Sequence, residues 1–112
     1  MMAAHKKILG QLYPSADTIG TLYATDSTHE AVVSTLFCCN QSDTDADTFA
    51  IAVRPTGESL TLEHILYSNE PIPASRTYAI TCGITMGTDC TLEVRSTNGT
   101  MSFSAFGQES TV

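Results

Sequence analysis

Residues 90–108 read CTLEVRSTNGTMSFSAFGQ, two alternating runs that meet at Asn98-Gly99. In the first run Leu92 and Val94 share one face, and Glu93 and Arg95 share the other. In the second, Phe103 and Ala105 share a face, and Ser102 and Ser104 oppose them. Alternation with a period of two is the mark of a half-buried strand. Asn-Gly is the strongest short hairpin signal, because a type I′ turn needs positive φ at both central positions. A two-residue turn sets Thr97 opposite Thr100, Val94 opposite Phe103 and Leu92 opposite Ala105. The reading therefore predicts a β-hairpin with one apolar face.

Working outward, the same punctuation recurs and no helical period appears. Strands are expected at Lys6 to Leu12, Thr21 to Thr25, Glu30 to Asn40, Thr48 to Arg54, His64 to Asn69 and Arg76 to Cys82, followed by Cys90 to Thr97 and Thr100 to Gln108. Glu30 to Asn40 is apolar and β-branched on both faces, as a central strand would be. In the next strand Phe49, Ile51 and Val53 share a face. Pro55-Thr56-Gly57 and the Pro71/Pro73 corner supply turns. About eight short strands with no room for crossover helices predict an all-β antiparallel β-sandwich, jelly-roll or immunoglobulin-like in connection. Residues 1–112 are expected to form this single domain. Residues 1–12 read either as its first strand or as a docking arm.

Composition narrows function. Five Lys and Arg residues oppose twelve carboxylates, for a net charge of −7. Nucleic-acid backbones and anionic membranes both demand clustered cations, so neither is an expected partner. The exception is His5-Lys6-Lys7 near the N-terminus. Charged residues make up 15% of the chain, against about a quarter in ordinary domains. Much of the surface must then be neutral Ser, Thr, Ala and Asn, which suits a protein tiled against neighbours. No signal-peptide core precedes His5 and no apolar run is long enough to span a membrane, so synthesis in a cytoplasm is expected.

Candidate chemistry fails on spacing. Asp43-Thr44-Asp45-Ala46-Asp47 imitates the start of a calcium loop, but Thr48 and Arg54 stand where Gly and Glu are needed. Cys38, Cys39, Cys82 and Cys90 include no C-x-x-C pair, and adjacent Cys38 and Cys39 point to opposite faces. In a reducing compartment they read as small buried hydrophobes, with a Cys82–Cys90 bridge left open for an oxidising medium. His5, His29 and His64 show no orienting partner, and no nucleophile elbow occurs. The eight aromatics fall at strand spacing and read as core. No catalytic residue, metal site or cofactor is expected.

Five blocks carry a resemblance. Lys6-Lys7-Ile8-Leu9-Gly10-Gln11, with Pro14-Ser15-Ala16 and Thr21-Leu22-Tyr23, forms the first. Ala31-Val32-Val33-Ser34-Thr35 with Cys39-Asn40 is the second, and Thr48-Phe49 through Ile51-Ala52-Val53-Arg54-Pro55 the third. Gly83-Ile84-Thr85-Met86 with Asp89, then Ser102-Phe103-Ser104-Ala105-Phe106-Gly107-Gln108-Glu109, complete the set. In this order they resemble a family of short virion structural proteins of tailed bacteriophages, many from cyanobacterial and marine hosts. Two departures stand out: Cys38-Cys39 and Cys82 replace aliphatic residues, and the 42–47 loop is unusually acidic.

The resemblance implies a non-enzymatic virion protein that binds other virion proteins, with homo-oligomers expected. The tail, neck, baseplate or fibre attachment region is the first expectation for its place, on the family's fibre-like members. A capsid cement or decoration protein is the alternative, and a host-glycan-binding module a second. The residues expected to reach a partner are Met1, Met2, His5, Lys6, Lys7, Ile8 and Leu9, with Met1, Met2, Ile8 and Leu9 as apolar anchors for pairing at a neighbour's open edge.

Overall fold

The described residues form eight strands: β1 (Ala4–Leu12), β2 (Gly20–Ala24), β3 (His29–Asn40), β4 (Asp47–Pro55), β5 (Ile65–Ile72), β6 (Thr77–Met86), β7 (Cys90–Ser96) and β8 (Met101–Thr111). A 3-10 turn, Leu62–His64, lies in the β4–β5 connection. The structure is a computed structural model and describes residues 4–112. Among these residues no helix is long and apolar enough to cross a membrane.

The strands form two four-stranded sheets, all antiparallel. Sheet A has the order β1-β8-β3-β6 and sheet B the order β2-β7-β4-β5. β1 pairs with β8, β2 with β7, β3 with β6 and β4 with β5. The chain is thus one long antiparallel ribbon folded back at the β4–β5 connection. The ribbon is then rolled, so that β3 also pairs with β8 and β4 with β7. This is the jelly-roll connection. β3 lies inside its sheet, between β8 and β6, with one face buried and the other on the outside of the sandwich.

The expected 90–108 hairpin does not form. β7 belongs to sheet B and β8 to sheet A, so residues 97–100 carry the chain across the sandwich. Gly99 has φ +76, but Asn98 is not in the left-handed region, and a type I′ turn needs both. Asp47, at the start of β4, organises the corner instead. Its carboxylate accepts the Ser96 hydroxyl at 2.6 Å, the Thr100 hydroxyl at 3.0 Å, and the Asn98 and Thr48 backbone N–H groups at 2.9 and 2.7 Å. Leu92, Val94, Phe103 and Ala105 are all buried as expected, but the two pairs meet from opposite sheets. Alternation fixes which face is buried and leaves the hydrogen-bonded neighbour open.

Phe49 sits at the centre of the core. Its ring lies 6.0 Å from Phe103, 6.1 Å from Tyr78 and 6.3 Å from Tyr67, within the range of favourable aromatic pairs. Ile51 shares its face and is fully buried. Pro71 falls inside β5, at the edge of sheet B, which is where a strand tolerates proline. Sheet A is bent by bulges at one level, between Ile8 and Gly10 and between Val33 and Thr35. Gly107 is required there, because a Cβ would come within 2.0 Å of the Val32 carbonyl oxygen.

Candidate functional site

The N-terminal residues singled out from the sequence fall on one edge strand. Met1 and Met2 lie outside the described residues. His5, Lys6, Lys7, Ile8 and Leu9 all belong to β1, paired with β8 at the edge of sheet A. Leu9 turns into the core, whereas Ile8 stays 53% exposed. Leu9 is therefore held by the domain's own interior, and Ile8 is the apolar side chain of this pair that faces solvent. Lys7 Nζ lies 3.1 Å from Glu109 Oε1, and the Tyr23 hydroxyl donates to the other carboxylate oxygen. The Tyr23 hydrogen bond holds the Glu109 carboxyl below its usual range, with partial burial opposing and Lys7 assisting. Burial, with Glu109 beside it, pushes the Tyr23 hydroxyl well above its ordinary value.

The outer face of sheet A carries an apolar outcrop. Ile8 pairs with Phe106, and Phe37 meets Phe106 edge to face at 5.6 Å. Phe37 is 40% exposed and Val32, on the same strand, 42%. Phe37 and Phe106, expected in the core from their strand spacing, lie on this outer face instead. The correcting signal was local: Phe37 precedes Cys38, and adjacent strand residues cannot both point inward. Small polar residues surround the outcrop, including Gln11, which donates to the Ser104 hydroxyl at 3.3 Å.

The outer face of sheet B holds a shallow groove. Ala50, Ala52, Ile65, Leu60 and Ile19 line it, with Glu93 and Arg95 at its rim. Arg54 grips the Glu93 carboxylate with two nitrogens, at 2.7 and 3.3 Å. Arg95 donates from Nη2 to Asn69 at 2.7 Å, and its Nε is buried with no partner among the described residues. Small alanines at the floor leave room for a neighbour's side chains; they bring no nucleophile or base.

Two of the three histidines, His29 and His64, have partners that sequence reasoning missed. Asp26 Oδ1 lies 2.8 Å from His29 Nδ1, and the Thr28 hydroxyl lies 3.0 Å from the same nitrogen. The His29 contact, with the Thr28 backbone and hydroxyl, holds Asp26 down to about 2. Both contacts fall on Nδ1, so the group is a tight turn between β2 and β3. A nucleophile relay would use the two ring nitrogens separately. His64 Nδ1 accepts the Thr61 backbone N–H at 3.1 Å, capping the 3-10 turn. All four cysteines are free, and burial, followed by neighbouring Cys82, pushes the Cys38 thiol up to about 12. Such a thiol is inert at neutral pH. Among the described residues no group of three or more His, Cys, Asp or Glu side chains converges on a metal position.

No family model matches the sequence, and no curated protein matches it. Solved structures do resemble the fold. A chain in the structure of the infectious bursal disease virus Gx strain aligns with 98% of this chain and 32% of its own length, at 14% identity and a TM-score of 0.57. A chain of the T13 IBDV viral particle aligns with 99% of this chain and 30% of its own, at 12% identity and a TM-score of 0.53. A pentameric capsid protein isolated from metagenomic phage sequences aligns over 95% of this chain and 59% of its own at 16% identity, with a TM-score of 0.34 that is too low to speak for a shared fold. The chain spans 30–32% of the length of the two viral chains whose fold it shares. At these identities the likeness concerns the fold.

Proposed function

We propose that this chain is a non-enzymatic structural protein of a virus particle, that of a tailed phage, which works by holding neighbouring virion proteins and further copies of itself. The observation that carries the reading is the jelly-roll order running through residues 4–112. Chains of an icosahedral virus match nearly the whole of it. Five sequence blocks resembling tailed-phage virion proteins support the same reading. So does the surface: an apolar outcrop on the outer face of sheet A, a shallow apolar groove rimmed by Glu93 and Arg95 on that of sheet B, and sheet edges that a neighbour can reach. The exposed side chains of β1, His5, Lys6, Lys7 and Ile8, serve as one docking surface, with Met1 and Met2 ahead of them in the sequence.

Two placements follow. The fold's likeness to chains of icosahedral particles favours the head, where a jelly roll decorates or cements the shell. The fibre-like members of the resembled family favour the tail, neck, baseplate or fibre attachment region. Quantitative mass spectrometry of purified particles separates them. Copies in a fixed ratio near that of the major capsid protein mean the head, and a far smaller number means the tail. Absence from particles removes both.

A further inference from the structure

Four strands stand at sheet edges: β1 and β6 in sheet A, β2 and β5 in sheet B. A bare edge offers unpaired N–H and C=O groups to another chain, and folded proteins blunt it with charge, proline, bulges or brevity. β1 carries His5, Lys6 and Lys7 beside a bulge. β2 has five residues and a register shift. β5 contains Pro71, Glu70 and two register shifts, with Asn69 at φ +50. β6 is different. Its ten residues, Thr77–Met86, include no charge and no proline. Its one irregularity, opposite Ser34, belongs to the bend that crosses the whole sheet.

We propose that β6 joins two copies of this chain, edge to edge and antiparallel, so that sheet A continues from one copy into the next. Three observations select a second copy. First, each copy carries a net charge of −7, so like-charge repulsion opposes most contacts between copies, and a strand without charge is where it is weakest. Second, Tyr78, Ile80, Cys82 and Ile84 pack against the core yet stay partly exposed at the edge. A two-fold axis near the middle of β6 lays this row against its own counterpart, which buries both. Leu62 and Leu66, exposed at 86 and 46% beside the neighbouring edge of sheet B, add apolar surface on the same side. Third, Arg76 precedes β6 and Asp89 follows it; both are exposed, and neither makes an ion pair among the described residues. Antiparallel pairing brings each Arg76 towards the Gly87–Asp89 turn of the other copy, whereas parallel pairing sets like ends together.

This inference names a partner within the proposed assembly role, and its test is separate. The purified full chain, kept reduced, is measured by light scattering and sedimentation equilibrium from low to high micromolar concentration. Twice the chain mass is expected. Thr81→Lys, an exposed substitution near the two-fold axis, is expected to weaken dimerisation about tenfold or more, because two lysines then face each other. Its circular dichroism should be unchanged, and Arg76→Glu should weaken the dimer to a smaller degree. In the unaltered chain, hydrogen exchange of the β6 amides should slow as concentration rises. A monomer at high micromolar concentration overturns the pairing, as does a dimer indifferent to Thr81→Lys with β6 exchange independent of concentration. A β6 dimer in a protein absent from particles leaves the pairing standing and removes the virion reading. A monomer abundant in particles does the reverse.

Discussion

The Asp47 carboxylate accepts the Ser96 hydroxyl at 2.6 Å, tying the start of β4 to the end of β7 where the chain leaves sheet B for sheet A. Both side chains are buried, at 3 and 0% exposure. With the Thr48, Asn98 and Thr100 donors, the carboxylate satisfies a corner that otherwise holds unpaired polar groups.

Asp47→Ala removes the acceptor and leaves the Ser96 hydroxyl buried. The expected loss is about 3 kcal/mol of unfolding free energy, as for a buried charge-assisted network. Asp47→Asn keeps part of the acceptor and should lose about 1 kcal/mol. Urea denaturation checks both, with a lower midpoint and an unchanged slope as the expected pattern.

The same corner sets an acid limit. Burial acts to raise the Asp47 pKa, but hydrogen bonds from Ser96, Asn98, Thr48 and Thr100 outweigh it and hold the carboxyl below its usual range. Glu109 is lowered as well, first by Tyr23. For groups depressed in the folded state, the unfolded chain binds more protons as pH falls. Their stabilisation is complete above the unfolded carboxylate pKa, about 4, and fades as pH drops through the folded values. Thermal unfolding should therefore be flat through mildly acidic pH and fall below about pH 4. In Asp47→Asn the fall should be shallower.

At the alkaline end the sign reverses. The Tyr23 hydroxyl is raised, chiefly by burial and then by Glu109. Its contribution is complete below the unfolded tyrosine pKa of about 10 and is lost as pH rises beyond it. Tyr23→Phe should remove that part of the decline, measured as melting temperature against pH.

Two aromatics separate core from surface. Phe49→Ala should cost about 3–5 kcal/mol, the range for a fully buried Phe, with loss of near-ultraviolet circular dichroism. Phe37→Ala should cost about 1 kcal/mol or less, since its ring lies on the outer face. If that face docks a neighbour, Phe37→Ala should reduce incorporation into particles with little change in stability.

Glycines on sheet A divide in the same way. A Cβ at Gly10 would lie 1.9 Å from the Leu22 carbonyl oxygen, whereas one at Gly83 meets nothing within 4 Å. Gly10→Ala should cost about 1–3 kcal/mol by forcing β1 away from β2. Gly83→Ala should be neutral or slightly stabilising. Thermal unfolding of the two variants provides the comparison.

The strands were legible in the sequence because alternation and turn residues report burial directly. Phe49, Ile51, Leu92, Val94, Phe103 and Ala105 point inward as their spacing predicts, and β3 is central in its sheet as expected, although its outer face, with Val32 and Phe37, is exposed. Pairing was less legible. Asn98-Gly99 resembles a hairpin turn because Gly tolerates positive φ in either setting, and the partner that makes it a corner, Asp47, lies about fifty residues earlier. Asp47 itself reads as the last acid of a solvated loop, since nothing local marks it as buried. His29 has its partner three residues away, a contact made visible only by the turn. In β1, Ile8 and Leu9 have opposite fates because neighbouring strand residues alternate faces. Which of the two points inward is set by the pairing with β8 and the bulge at Leu9, neither of which leaves a local trace.

The proposed role requires this chain to be part of a virus particle. The most direct measurement is its copy number in gradient-purified particles, by quantitative mass spectrometry against the major capsid protein. The chain is expected in every particle preparation, at a fixed ratio that survives repeated purification. Its absence, or a ratio that falls towards zero as purification proceeds, would rule out a virion role.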